Sequence, residues 1–163
     1  KSHAQPLIDE GAAGIPVVYT IPATGFDIVV NGDHLLSWGI EPHELQDAAL
    51  QNLATWAATA PWSDESAGAR RVISSDTGDG PDAVRILLPD VATYLAGELG
   101  SEGRVLVGIP ERHMLMAASL RPDDEGFAVA FAAFIVELSG GADEPVDRRL
   151  LELVDGQLVD FVG

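Results

Sequence analysis

Asp79, Asp82, Arg85, Arg112 and His113 are the residues of this 163-residue chain whose types and spacing could do chemistry. The two aspartates lie in Asp76-Thr77-Gly78-Asp79-Gly80-Pro81-Asp82, and Arg85 follows closely. Arg112 and His113 come after Pro110-Glu111 in a second short connection. Gathered around one cleft, the carboxylates and the imidazole would exchange protons with a substrate. The two planar guanidinium forks would bind a carboxylate or a phosphate. Each residue also has a structural reading. Asp82 can cap a helix, Arg85 and Arg112 can pair with neighbouring aspartates, and His113 can sit exposed in a turn.

None of these residues completes a known constellation. A serine hydrolase needs a nucleophile elbow of the Gly-x-Ser-x-Gly type, and none occurs; Ser139-Gly140-Gly141 reads as a helix end. The acidic loop has oxygen ligands of the kind calcium takes, but a calcium helix–loop–helix needs a glutamate at its twelfth position, and here that position is Leu87. Gly78-Asp79-Gly80-Pro81-Asp82-Ala83 matches a dinucleotide-binding glycine pattern only superficially, since Pro81 and two carboxylates oppose a pyrophosphate. His3, His34, His43 and His113 form no i, i+4 pair for a metal. Cysteine is absent, which excludes disulfides and thiolate metal sites. The sequence therefore gives no catalytic set, no metal site and no cofactor.

The charge excludes further classes. There are 26 acidic residues against 9 basic ones, with Lys1 the only lysine, for a net charge of −17. Such a chain repels phosphate backbones and anionic membrane surfaces, so nucleic acid and membrane are excluded as partners. The surplus serves solubility, or it steers a basic partner. The longest apolar run, Phe127–Val136, is about half the ~20 residues that span a bilayer. Lys1-Ser2-His3 lacks an initiating Met, which fits a processed or trimmed start.

The elements that would position the candidate residues follow from periodicity and breakers. Residues 1–14 read as a loose lead-in, and residues 15–163 as a single α+β domain. Ile15–Ile21 and Phe26–Val30 predict two strands around Ala23-Thr24-Gly25. Asp33 reads as the cap of a short helix ending at Gly39. Pro42 opens the next helix, with Leu45, Ala49, Leu53 and Trp56 facing the core, ending by Ala60. Residues 61–69 read as a polar loop and Arg70–Ser75 as a strand. Val84, Leu88, Val91, Leu95 and Leu99 make one helical stripe, which Pro89 is expected to kink or to break and restart. Arg104–Ile109 and Met114–Leu120 predict an antiparallel pair around residues 110–113.

Asp123 or Asp124 caps the most apolar helix, where Phe127, Phe131, Phe134 and Leu138 share a face. The rest of that helix is largely Ala and Val, which predicts burial on most sides. Asp155-Gly156 predicts a closing hairpin of residues 150–162. It would place Leu151, Leu153, Leu158 and Val162 on one face, and Leu150, Val154, Val159 and Phe161 on the other. Hairpins in place of strand–helix–strand crossovers predict a mostly antiparallel sheet with about three main helices packed against it.

Asp79-Gly80-x-Asp82-Ala83-x-Arg85-Ile86-Leu87, then Val107-x-Ile109-Pro110, the Arg112-His113 turn and Leu115, together resemble the YtpQ-like family of uncharacterised bacterial proteins. Trp38, Glu44-Leu45, Ala48-Ala49 and Asn52-Leu53 extend the likeness, as does Gly140-Gly141 before a glycine-containing hairpin. It covers roughly residues 15–162. Family members commonly carry Asp where this chain has His113, and an additional N-terminal half. The resemblance implies a cytoplasmic bacterial α+β domain and supplies no activity.

The leading expectation is a non-enzymatic binding or regulatory domain with a protein or peptide partner. An enzyme of hydrolase or anion-binding type, using the five residues above, is the alternative from another class. An acidic secretion-chaperone-like dimer with an exposed apolar groove is a third. The oligomeric state is open in the sequence.

Overall fold

Short β-rich segments interrupted by glycine and proline give the first part of the chain hairpins instead of a broad sheet. The structure, a computed structural model, describes residues 3–163. The chain divides into two compact units, residues 1–55 and residues 56–163. In the first unit β1 (Ile8–Glu10) pairs antiparallel with β2 (Pro16–Val18), and β3 (Thr20–Ala23) with β4 (Phe26–Val29). The expected lead-in therefore contains a strand; its residues 1–2 lie outside the described residues. Ile15–Ile21 is divided between two strands, because β2 and β3 have different partners. Helix α1 (Gly32–Trp38) is capped by Asn31 in place of the expected Asp33. The Asn31 Oδ1 accepts from the His34 N–H at 3.0 Å, and the His34 Nδ1 accepts from the Asn31 N–H at 3.1 Å. Gly39 closes the helix in the left-handed region, at φ 65°. Helix α2 (Pro42–Ala57) starts on its proline.

One polar cluster in this unit holds a tyrosine against a carboxylate. The Tyr19 hydroxyl donates to Asp9 Oδ2 at 2.5 Å, and Gln46 Nε2 donates to the same oxygen at 2.9 Å. Burial first, and then the Asp9 carboxylate, push the phenol up to about 12, against a smaller pull from Gln46. The folded value lies above that of a free phenol, about 10. The fold thus favours the protonated ring: the stabilisation is complete below pH about 10 and is lost as pH rises through the folded value. The chain has two tyrosines, so a Tyr94→Phe variant isolates Tyr19. Its phenolate absorbance should rise with a midpoint about 12, and Asp9→Asn should lower that midpoint. A midpoint unmoved by Asp9→Asn would contradict the arrangement.

The second unit is built on β5 (Ser63–Ala67), β6 (Arg70–Ser75), β7 (Arg104–Glu111), β8 (Met114–Leu120), β9 (Leu151–Val154) and β10 (Gln157–Asp160). They form one six-stranded antiparallel sheet in the order β10-β9-β7-β8-β6-β5. This is the α+β architecture the hairpins predict. Strand β5 replaces the expected loop over its five residues. Its residues are polar apart from Ala67 and all exposed, so it carries no apolar alternation. The bulge between Gly108 and Glu111 accommodates Pro110, which has no N–H for the ladder. There the Ile109 and Pro110 carbonyls accept from the Asp147 and Val146 N–H groups. Asp155 and Gly156 both take positive φ, 49° and 77°, in the closing turn. Leu151, Leu153 and Leu158 of that hairpin are buried, whereas Val162 is exposed.

Strand alternation separates two faces. Leu106, Ala118 and Leu120 face helix α4 (Glu125–Gly141) through Phe127, Ala128, Phe131 and Ile135. Gly108 lies on that face too, and a Cβ there would overlap Ile135, so the glycine lets the helix approach. Residues of opposite parity, among them Ile73, Val105 and Val107, are buried on the other face. Helix α3 (Pro89–Leu99) packs on β7 and β8. Arg71, of the same parity, donates to the Glu98 carbonyl at 2.9 Å and ion-pairs with Glu98 and Asp64. The chain breaks at Leu88 between a 3-10 turn (Ala83–Leu87) and α3, where Pro89 forces the restart. Asp124 stands at the start of α4, but its carboxylate makes a two-pronged pair with Arg70 at 2.7 Å instead of capping.

Helix α4 corrects the expectation of burial on most sides. Only its sheet-facing stripe is buried. Val129 is 72% exposed, Val136 47% and Phe134 43%. The helix meets β7 and β8 along one side, and these apolar residues on its other sides stay exposed.

Candidate functional site

The five sequence candidates lie on two adjoining connections. Asp79, Asp82 and Arg85 are on the segment between β6 and α3; Arg112 and His113 form the β7–β8 turn. The turn is fastened to the segment. The Ala83 N–H donates to the Arg112 carbonyl at 3.1 Å, and the His113 Nδ1–H donates to the Gly80 carbonyl at 2.7 Å. Glu144 takes the other side: its carboxylate lies 3.1 Å from Arg112 Nη1 and 3.3 Å from His113 Nε2. His113 is thus half-buried and held at both ring nitrogens, where the sequence placed it exposed. Asp79 is exposed and apart from these contacts.

Asp82 and Arg85 are buried, which neither the cap nor the ligand reading anticipated. Asp82 makes no side-chain cap bond. Its carboxylate accepts from the Ser75 hydroxyl at 2.6 Å, the Thr77 hydroxyl at 2.7 Å and the Thr77 N–H at 3.1 Å. Arg85, 2% exposed, donates to Ser75 Oγ at 2.9 Å and to the carbonyls of Ala57, Ala60 and Pro61 at 3.0, 2.9 and 3.3 Å. Those carbonyls are at and beyond the end of α2, where backbone acceptors lack helical partners and a cation is favoured. The guanidinium lies 3.8 Å from the Trp62 ring centroid and 5.5 Å from that of Trp56. Its Nε–H has no hydrogen-bond acceptor. Burial pushes the guanidinium below its ordinary range, while the Asp82 charge opposes that. Ser75 therefore relays a cation to an anion inside the core, and neither charge is presented to a ligand. Among the described residues, no three His, Asp or Glu side chains are grouped to hold a metal ion.

The open chemistry of the second unit lies elsewhere. Beside α4 runs a groove of about 580 Å³. The stripe Phe127, Phe131, Phe134 and Leu138 forms one wall, and Val72, Ser74, Met114 and Met116 lie on the strands. Arg70, Glu65 and Asp76 stand at its polar margin. Arg70 is neutralised by Asp124, whereas Glu65 and Asp76 make no ion pair among the described residues. The groove is thus apolar with net negative charge. The phenylalanine stripe was visible in the sequence as a helix face, but the exposure of Phe134 was not. The remaining signal was that α4 has more apolar surface than one sheet face can cover.

No protein-family model matches the chain, and neither a curated protein nor a solved structure matches it. Among the described residues no helix is long and apolar enough to cross a membrane.

Proposed function

We propose that this chain is a non-enzymatic binding module whose α4 groove receives an apolar segment of a basic protein partner. The groove carries this reading: Phe134 is exposed on its wall, and an apolar concavity with a few polar groups at its margin is the kind of surface that receives a ligand or partner side chain. Unpaired Glu65 and Asp76, within a chain of net charge −17, select a cationic partner and disfavour a second copy. The enzyme reading loses support because Asp82, Arg85, Arg112 and His113 are engaged in holding the segment, the turn and Glu144 together. The YtpQ-like resemblance, with its bacterial and cytoplasmic implications, is compatible with this reading and adds no activity.

Two labelled synthetic peptides test it. Both carry the same apolar residues, interspersed with Lys in one and with Glu in the other. Fluorescence anisotropy should show binding of the Lys peptide alone, weakening as salt rises. Equal binding of both, or of neither, would overturn the proposal. Light scattering on the unliganded chain should report a monomer at low and high salt. A salt-stable dimer would place a second copy in the groove, as the chaperone-like alternative requires.

A further inference from the structure

We infer that the segment received by the groove is an amphipathic α-helix lying alongside α4 over β6, with Lys or Arg directed at Glu65 and Asp76. This rests on the binding reading above and specifies its ligand.

Spacing supports a helix. Six strands at about 4.8 Å separation make a sheet roughly 24 Å wide. One helix covers about 10 Å of that width. Helix α4 packs on β7 and β8, with Leu150 and Phe161 against it on one side and Val72 and Met116 on the other. Among the described residues no helix packs extensively on β6 or β5. Strand β6 is two positions from β7 in the sheet, about 10 Å away. That separation equals the 8–10 Å interaxial distance of packed helices. A helix centred over β6 would therefore rest on Val72 and Ser74 and touch α4 at normal packing distance.

The wall has the periodicity a helix requires. Phe127, Phe131, Phe134 and Leu138 are spaced four, three and four residues apart. This is a ridge that accepts side chains from a neighbouring helix at the same intervals. Glu65 lies on the groove face because it registers with Val72, and Asp76 extends the β6 end. Glu65, on β5, borders the side of the position over β6 away from α4 and Asp76 its end, and both would meet cations of the incoming helix. The groove-facing residues thus specify an apolar stripe against α4 and a basic flank away from it.

Two Lys-containing peptides of identical composition distinguish the possibilities. One places its apolar residues at i, i+3, i+4 and i+7; the other alternates them. The helical-period peptide should bind at least roughly tenfold more tightly and gain helical circular dichroism on binding. A central proline should abolish its binding. Glu65→Lys should weaken it, and because Glu65 is exposed, folding is preserved. If the alternating peptide binds as well or better, the helix assignment is wrong, and an extended segment in the groove replaces it while the groove reading stands. If neither peptide binds, the groove reading itself falls.

Discussion

Replacing Arg85 by alanine is expected to destabilise the second unit by about 3–5 kcal/mol, the usual cost of removing one member of a buried charge pair. Four acceptors lose their donor: Ser75 Oγ and the carbonyls of Ala57, Ala60 and Pro61. The Asp82 carboxylate loses the cation that balances it through Ser75. Asp82→Ala should cost a comparable amount, since it strands the Arg85 charge and removes three hydrogen bonds at once. The double variant should lose less than the two singles together, by roughly 0.5–3 kcal/mol of coupling. Urea unfolding followed by tryptophan fluorescence reads this directly, because Trp56 and Trp62 flank the guanidinium. Losses below about 1 kcal/mol for both singles, the scale of an ordinary surface change, would mean that the pair is idle in the fold. Its charges would then be free for a ligand.

The second large effect is on binding. Phe134 is 43% exposed on the groove wall. Phe134→Ala should lower affinity for the helical Lys peptide about 30-fold, corresponding to an aromatic hot spot of ~2 kcal/mol. Stability should change by only about 1 kcal/mol, because the ring is partly solvated already. Val129→Ala supplies the control. Val129 is more exposed, at 72%, but does not line the groove, so its truncation should leave affinity unchanged. Equal effects of the two substitutions would indicate general stickiness of α4 in place of a defined site.

How much of this was legible in the sequence depends on which force sets each element. Turns that require a particular backbone were readable: Gly39, Asp155-Gly156 and the restart at Pro89 all stand where their residue types place them. Strands with an apolar face were readable too. Strand β5 was not, because its pairing is set by β6 and its side chains are all exposed. The start of α1 was misread by two residues, since Asn31 and Asp33 are both competent caps and only the reciprocal bond with His34 decides between them.

The site was harder still. Asp82 and Arg85 drew attention as charges beside a glycine-rich turn. Nothing local shows that Ser75 and the end of α2 would enclose them. His113 looked like an exposed turn residue because its partners, Gly80 and Glu144, are distant in sequence. The phenylalanine ridge of α4 was recognised, but an all-apolar helix reads as buried unless one knows how wide a sheet it must share. The vacant width beside α4 is a property of the strand order.

The most direct test uses the chain's two methionines. Met114 and Met116 both line the groove, so a protein labelled at its methionine methyls and tryptophan indole nitrogens gives two methyl NMR signals that report on that surface. Titration with the helical Lys peptide should move both signals while the indole signals of Trp56 and Trp62, beside Arg85, stay in place. Peptide binding that leaves both methyls unmoved and shifts the indoles would contradict the account, and would return the ligand site to the Asp82–Arg85 cluster.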